Sequence, residues 1–143
     1  MTAAAPIDLS FLRNVYARLG EAWGFWQGEP AASPLSPHLR AAVIQSFEFT
    51  YELSLRMLRR VLVERATSAD LVADLSFNDL LRLGADAGLL ADPLTWRRWR
   101  AMRNTTSHTY DDAKAQEVAL AMPAFQADAA TLLQALEHAL ASP

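Results

Sequence analysis

Residues 38–65 read HLRAAVIQSFEFTYELSLRMLRRVLVER, and the periodicity of this stretch predicts one long helix from about His38 to Arg65. On a helical wheel Gln45, Glu48, Glu52, Arg56 and Arg59 fall within roughly 80° of one another. Apolar side chains, among them Ile44, Phe47, Phe49, Tyr51, Leu53, Leu55, Met57, Leu58 and Val61, take most of the remaining circumference. A helix that is apolar over so much of its surface must be enclosed on most sides, so it is expected to be the central helix of an assembly. Ser46, Thr50 and Ser54 form a row of small side chains four apart that lets another helix approach closely.

Working outward, Leu12, Val15, Tyr16, Leu19, Trp23 and Trp26 recur at helical spacing and predict a first helix from about Leu9 to Trp26, capped by Asp8 or Ser10. Gly28 to Pro37 holds three Pro, one Gly and two Ser and reads as a loop. Beyond the central helix, a linker near Thr67–Leu75 leads to a short helix from about Phe77 to Ala87, with Ser76 as its cap and Gly88 as its stop. Asp92-Pro93 opens a fourth helix, a cap followed by proline at the first helical position, which fades around Asn104 to Ser107. Asp111 or Asp112 caps a last helix reaching Ala139, and Pro123 should kink or interrupt it because proline lacks the donor and clashes with the preceding turn. The expected architecture is all-α: an up-and-down four-helix bundle with an additional short helix.

Composition agrees. Ala and Leu account for 49 of the 143 residues and Val and Ile for 8, which favours helices because the β-branched residues that fit pleated surfaces are nearly missing. A chain of this length is expected to form a single domain, residues 1–143, that buries roughly 70% of its unfolded surface. With no Cys, disulfide scaffolds, zinc fingers and cysteine-nucleophile enzymes are excluded. A net charge of −3 excludes a globally basic nucleic-acid binder but not a local basic patch. Positive charge is carried by 12 Arg and one Lys. That bias suits phosphate handling and is equally the mark of GC-rich coding sequence. No secretory signal and no membrane-spanning run is visible, so the expected location is cytoplasmic, without a membrane partner.

One segment does not read as core. Arg103-Asn104-Thr105-Thr106-Ser107-His108-Thr109-Tyr110-Asp111-Asp112 is polar throughout and lies between two apolar-periodic helices. Helix termini turn backbone donors outward and bind anions. If His108 sits near the start of the last helix, the dipole there favours the neutral imidazole that a general base requires. Arg103 can supply charge to a phosphate, and Arg100 and Arg97 can extend the positive surface. A capping network is the plainer reading of the same residues. His108 with Asp111 and Asp112 lacks a second His or Cys nearby, so no metal is expected. No cofactor is expected either: there is no Gly-rich phosphate loop, nor the paired acidic residues on a strand that nucleotidyl transfer needs.

Arg103, four residues, His108, one residue, Tyr110 is the pattern that marks the HepT-like branch of the HEPN superfamily. The string Arg-Asn-Thr-Thr-Ser-His-Thr-Tyr-Asp, with Phe47-Glu48-Phe49-Thr50-Tyr51-Glu52-Leu53 on the central helix, resembles the nucleotidyltransferase substrate-binding protein family over nearly the whole chain. The alanine-rich start and the Pro-rich loop depart from the family pattern but lie outside the motif. The resemblance implies a small helical bundle that forms a homodimer with two copies of the motif near the interface. It also implies a partner, a separate minimal nucleotidyltransferase that supplies the metal- and nucleotide-binding residues while the bundle acts as a substrate-binding or regulatory subunit. In the toxin branch of such toxin–antitoxin systems the motif Arg and His form a metal-independent ribonuclease site, and the partner silences it by adenylylating the motif Tyr. Carried over, Arg103 and His108 are the candidate catalytic pair, Tyr110 the candidate modification site, and RNA or a nucleotide the bound molecule.

Several residues keep two readings. Asn104 orients the phosphate or caps the helix. Tyr110 is an acceptor or a packing residue whose hydroxyl bonds to Glu48 or Glu52. Glu48 and Glu52, with Asn104 and Arg100 the candidate substrate-binding residues, form within-helix pairs with Arg56 and Arg59, or hold Arg103 or His108 in place. Trp96 and Trp99 flank Arg100 and Arg103 and are either core or a stacking platform for bases.

Overall fold

In the computed structural model, which describes residues 6–66 and 68–141, the chain is all-α. The alanine-rich start, Thr67 in the expected linker and the last two residues lie outside the described residues. The helices are α1 (Ser10–Gly28), α2 (Ser36–Arg65), α3 (Ala69–Ala73), α4 (Phe77–Asp86), α5 (Pro93–Thr105), α6 (Asp112–Leu120) and α7 (Met122–Ala141), with a 3-10 turn at Thr106–His108. Four long rods, α1, α2, α5 and the interrupted pair α6–α7, make the expected bundle, and α4 is the expected short helix.

α2 is central. It packs against every other helix and buries Val43, Ile44, Phe47, Tyr51, Met57, Leu58, Val61 and Leu62 along its length. The apolar circumference is not wholly enclosed, however: Phe49 is half exposed. In the row of small residues Thr50 and Ser54 are fully buried. Thr50 Oγ1 donates to the Ser46 carbonyl at 2.7 Å, whereas the Ser54 hydroxyl has no partner.

The punctuation residues act largely as expected. Ser76 Oγ accepts from the Asp79 N–H and Asp92 Oδ1 accepts from the Leu94 N–H just behind Pro93; at α1 the cap position is Leu9, neither Asp8 nor Ser10, although the Asp8 carboxylate accepts from the Ser10 N–H at 2.9 Å. Gly88 ends α4 with φ +78°, the left-handed conformation that glycine adopts without a Cβ penalty. The last helix is cut at Ala121, two residues before Pro123. Two further expectations needed correction. The linker before α4 contains the five-residue helix α3, and α2 starts two residues earlier than expected, with Pro37 in its first turn.

Aromatic packing fixes α5 against α2 and α7. Phe125 of α7 is the hub: Phe47 meets it edge-on with ring centroids 4.7 Å apart, Trp99 at 5.2 Å and Trp96 at 5.9 Å. Tyr51 stacks on Trp96. The buried Trp99 indole N–H is satisfied by Asp128 Oδ2 at 2.8 Å. This cluster holds in place the end of α5 that carries Arg103. Among the described residues no helix is long and apolar enough to cross a membrane.

Candidate functional site

The polar segment begins in the last turn of α5, where the helix would ordinarily leave carbonyls without partners. Here hydroxyl side chains bond in succession to carbonyls along this end, two of which, those of Arg103 and Asn104, belong to the last turn. Thr105 Oγ1 donates to the Ala101 carbonyl, Thr106 to Arg103, Ser107 to Asn104 and Thr109 to Thr106, at 2.6–3.2 Å. The residue types that disfavour helix interiors thus close the helix end with their own side chains and continue it as the 3-10 turn. Asp111 then caps α6 by accepting from the Ala113 and Lys114 N–H groups.

Arg103 projects from α5 onto the polar stripe of α2, and each of its three guanidinium nitrogens is engaged. Nε and Nη2 both donate to Glu52 Oε1, at 3.3 and 2.8 Å. Nη1 contacts Glu48 Oε2 at 3.1 Å and donates to Thr106 Oγ1 at 2.9 Å. The hydrogen bonds that Arg103 donates to Glu52 raise the Arg103 pKa above its ordinary value; partial burial opposes them and the Glu48 charge adds to them. One cation between two carboxylates leaves this cluster at a formal charge of −1.

Glu48 and Glu52 therefore hold Arg103, and the pairing with Arg56 and Arg59 that their spacing favours gives way to it. Arg59 instead donates to the carbonyls of Val72, Ala73 and Leu75, where it caps α3. His108 is exposed at the end of the 3-10 turn, four residues before α6 begins. The α6 N-terminus that was expected to act on the imidazole is capped by the Asp111 carboxylate. Tyr110 is 85% exposed, which overturns its reading as a packing residue. Its ring lies edge-on to the His108 ring, with centroids 6.1 Å apart.

The remaining sequence candidates lie elsewhere or act otherwise. Asn104 is exposed within the last turn of α5 and does not cap it; the cap position is Thr106. Arg100 is exposed with its guanidinium over the Phe77 ring of α4 at 4.5 Å, and Arg97 donates to Asn78 Oδ1, so both turn toward α4. Trp96 and Trp99 are 2% and 0% exposed and belong to the core, not to a stacking platform. Sequence reasoning missed Thr106 as a partner of Arg103, although a hydroxyl three residues on is the local signal for it. It also missed Arg40, which reaches across from α2 to Asp112 Oδ1 at 2.7 Å. No local pattern announces a pair 72 positions apart.

Residues 8–138 match the family described as nucleotidyltransferase substrate binding protein like. The chain belongs to that family. Among its relatives, a Haemophilus influenzae protein named probable ribonuclease HepT is 43% identical over 100 residues, 70% of this chain and 68% of that one. A solved structure from Haemophilus influenzae, described as revealing the fold of a substrate binding domain of a nucleotidyltransferase, superposes with a TM-score of 0.82 at 34% identity. It covers 91% of this chain and 99% of its own. The family places the bundle in the context of nucleotidyltransferases, and one relative carries a ribonuclease name.

Proposed function

We propose that the bundle is the substrate-binding or regulatory subunit of a two-component system and presents Tyr110 to a separate nucleotidyltransferase. The observation that carries this reading is the exposure of Tyr110, 85% open on a capped turn beside His108. In this reading residues 1–143 act as one domain, two copies pair, and the partner supplies the nucleoside triphosphate and its metal. The phenol oxygen of Tyr110 attacks the α-phosphorus, the bond to pyrophosphate breaks, and the phenolic proton leaves to a base. An acceptor must be reachable by another protein's active site, and a hydroxyl on an exposed turn meets that condition.

The test is co-expression with the neighbouring nucleotidyltransferase, capture of the bundle and intact-mass measurement. Wild type is expected to capture the partner and to gain the mass of a nucleotide. Tyr110→Phe is expected to keep its fold and its capture and to gain none. Absence of capture, or an equal mass gain on Tyr110→Phe, overturns the reading.

A second reading is a metal-independent endoribonuclease, favoured by the fixed orientation of Arg103 and the ribonuclease name of the relative. His108 takes the 2′-hydroxyl proton, the 2′-oxygen attacks phosphorus, the 5′-oxygen leaves, and Arg103 offsets charge on the transition state. In one protomer the guanidinium is already matched by two carboxylates, so the phosphate needs the Arg103 and His108 of a second copy or a displaced Glu52. Incubation of the purified chain with total RNA separates the two readings. Cleavage lost in His108→Ala supports the enzyme, and intact RNA with the wild-type chain removes it.

A further inference from the structure

α5 is the most basic helix of an acidic chain. It holds four Arg and no acidic residue, so in a chain of net charge −3 the remaining residues sum to −7. Arg103 is matched by Glu48 and Glu52. Among the described residues Arg97, Arg98 and Arg100 meet no carboxylate, whereas Arg13, Arg18 and Arg40 each do. Neutral groups hold the three instead. Arg97 Nε donates to Asn78 Oδ1 at 3.0 Å, the Arg98 guanidinium lies 4.6 Å from the centre of the Trp99 ring, and that of Arg100 covers Phe77. Their charge is positioned but not neutralised.

These cations border an open face. Leu94, Arg97, Arg98, Ala101 and Asn104 follow one another at helical spacing and are all exposed. The row is about 15 Å long and ends four residues before His108. At its start α4 and α5 flank a groove of about 260 Å³, whose lining includes Asn78, Arg82, Leu94 and Arg97. Small-molecule clefts run from about 300 to about 1,000 Å³, so this smaller one suits side chains inserted by another protein. Among the described residues both Nη groups of Arg97 are without a hydrogen bond, and Arg82 has only a 3.8 Å contact with Asp79. A carboxylate entering the groove meets both guanidiniums, and Leu94, 62% exposed, offers a surface for an apolar side chain. Trp96 and Trp99 lie in the core, so α5 exposes no aromatic ring. A basic row without stacking platforms fits a protein segment better than a nucleic-acid strand.

We propose that the outer face of α5, with the groove it shares with α4, docks an acidic segment of the nucleotidyltransferase partner that carries an apolar side chain beside its carboxylates. The inference rests on the proposed function and supplies its interface. Specific interfaces bury about 800 Å² on each partner, so an enzyme acting on Tyr110 must cover far more than one turn. Beyond Tyr110 the chain continues into Asp111 and Asp112, which repel an acidic partner. The α5 row attracts one, and so sets the side from which it approaches.

The neighbouring nucleotidyltransferase is purified and titrated onto the immobilised wild-type chain and its variants. Wild type is expected to bind, and to bind more weakly as salt rises. Arg97→Glu and Leu94→Glu are each expected to weaken binding at least about tenfold with an unchanged melting temperature. Arg97 gives up no ion pair, and a carboxylate in place of Leu94 sits favourably in the first turn of α5. Arg18→Glu makes the same charge reversal at an exposed position of α1 and is expected to bind like wild type.

Undiminished binding by Arg97→Glu and Leu94→Glu overturns the docking face and leaves the two-component reading standing. An equal loss in Arg18→Glu also overturns the face, because net charge alone then accounts for the effect. Absence of binding by wild type removes the two-component reading and the face with it. An RNA pentamer that wild type binds and Arg97→Glu does not, with partner binding unchanged between them, assigns the row to a nucleic-acid strand and overturns the proposal.

Discussion

At the scale of single residues, the buried groups that lack or strain for a partner are the ones whose replacement is most informative. The Ser54 hydroxyl is fully buried and unpartnered, and an unsatisfied buried polar group costs on the order of 1–3 kcal/mol. Ser54→Ala is expected to stabilise the bundle by about 1 kcal/mol, read as a higher denaturation midpoint with an unchanged slope. Burial raises the Tyr51 pKa above its ordinary 10.0, with the charges of Arg100 and Arg103 opposing. The unfolded chain therefore ionises first. The stability contributed by the neutral phenol is complete below about pH 10 and is lost as pH rises through the folded value. Between about pH 9 and about pH 11, Tyr51→Phe is expected to lose less of its melting temperature than wild type; an equal loss removes Tyr51 as a cause of alkaline unfolding. Motif residues were readable because their polarity broke the apolar periodicity around them. Their acidic partners were readable only as one of two alternatives, since Glu52 and Arg103 are 51 positions apart and spacing along one helix also points to Arg56.

At the scale of elements, the boundaries written in local chemistry were readable and those set by tertiary contacts were not. Ser76, Gly88, Asp92-Pro93, Asp111 and Pro123 each announce a start or a stop by their own backbone preferences, and each acts at or next to its expected place. α3 has no such signal. Five residues are too few to form a helix on propensity alone, and this one exists because Val72 is buried against α2 and Arg59 covers its last carbonyls. Gly88 supplies the sharpest prediction at this scale. With φ +78° and nothing close to an added Cβ, Gly88→Ala meets only the backbone penalty and is expected to cost about 1 kcal/mol. Gly88→Asn is expected to cost less, because asparagine tolerates the left-handed region. Thermal melts of the two variants check the order.

For the whole molecule, one aromatic hub joins the site to the bundle. Phe125 is fully buried and touches Phe47, Trp96 and Trp99, which belong to α2 and α5. Phe125→Ala removes three ring contacts and opens a cavity, and is expected to cost about 3–5 kcal/mol of global stability. Denaturant unfolding followed by tryptophan emission and by circular dichroism should show the two signals moving together; a local change in emission alone would mean that the hub serves only its neighbourhood. The all-α architecture was readable because Ala and Leu so outnumber the β-branched residues, and the central position of α2 because its apolar surface runs nearly all round. Phe49 shows the limit of that inference: a side chain on the apolar circumference stays half exposed where no neighbouring helix reaches it.

The hydroxyls that close the end of α5 have a consequence for whatever docks there. Four side chains in the motif are tied to main-chain carbonyls before any ligand arrives, so the turn that carries His108 and Tyr110 has surrendered much of its conformational freedom on folding. A partner or a nucleotide engaging those two rings then meets a stiff platform, and little of its interaction energy is diverted to ordering the chain.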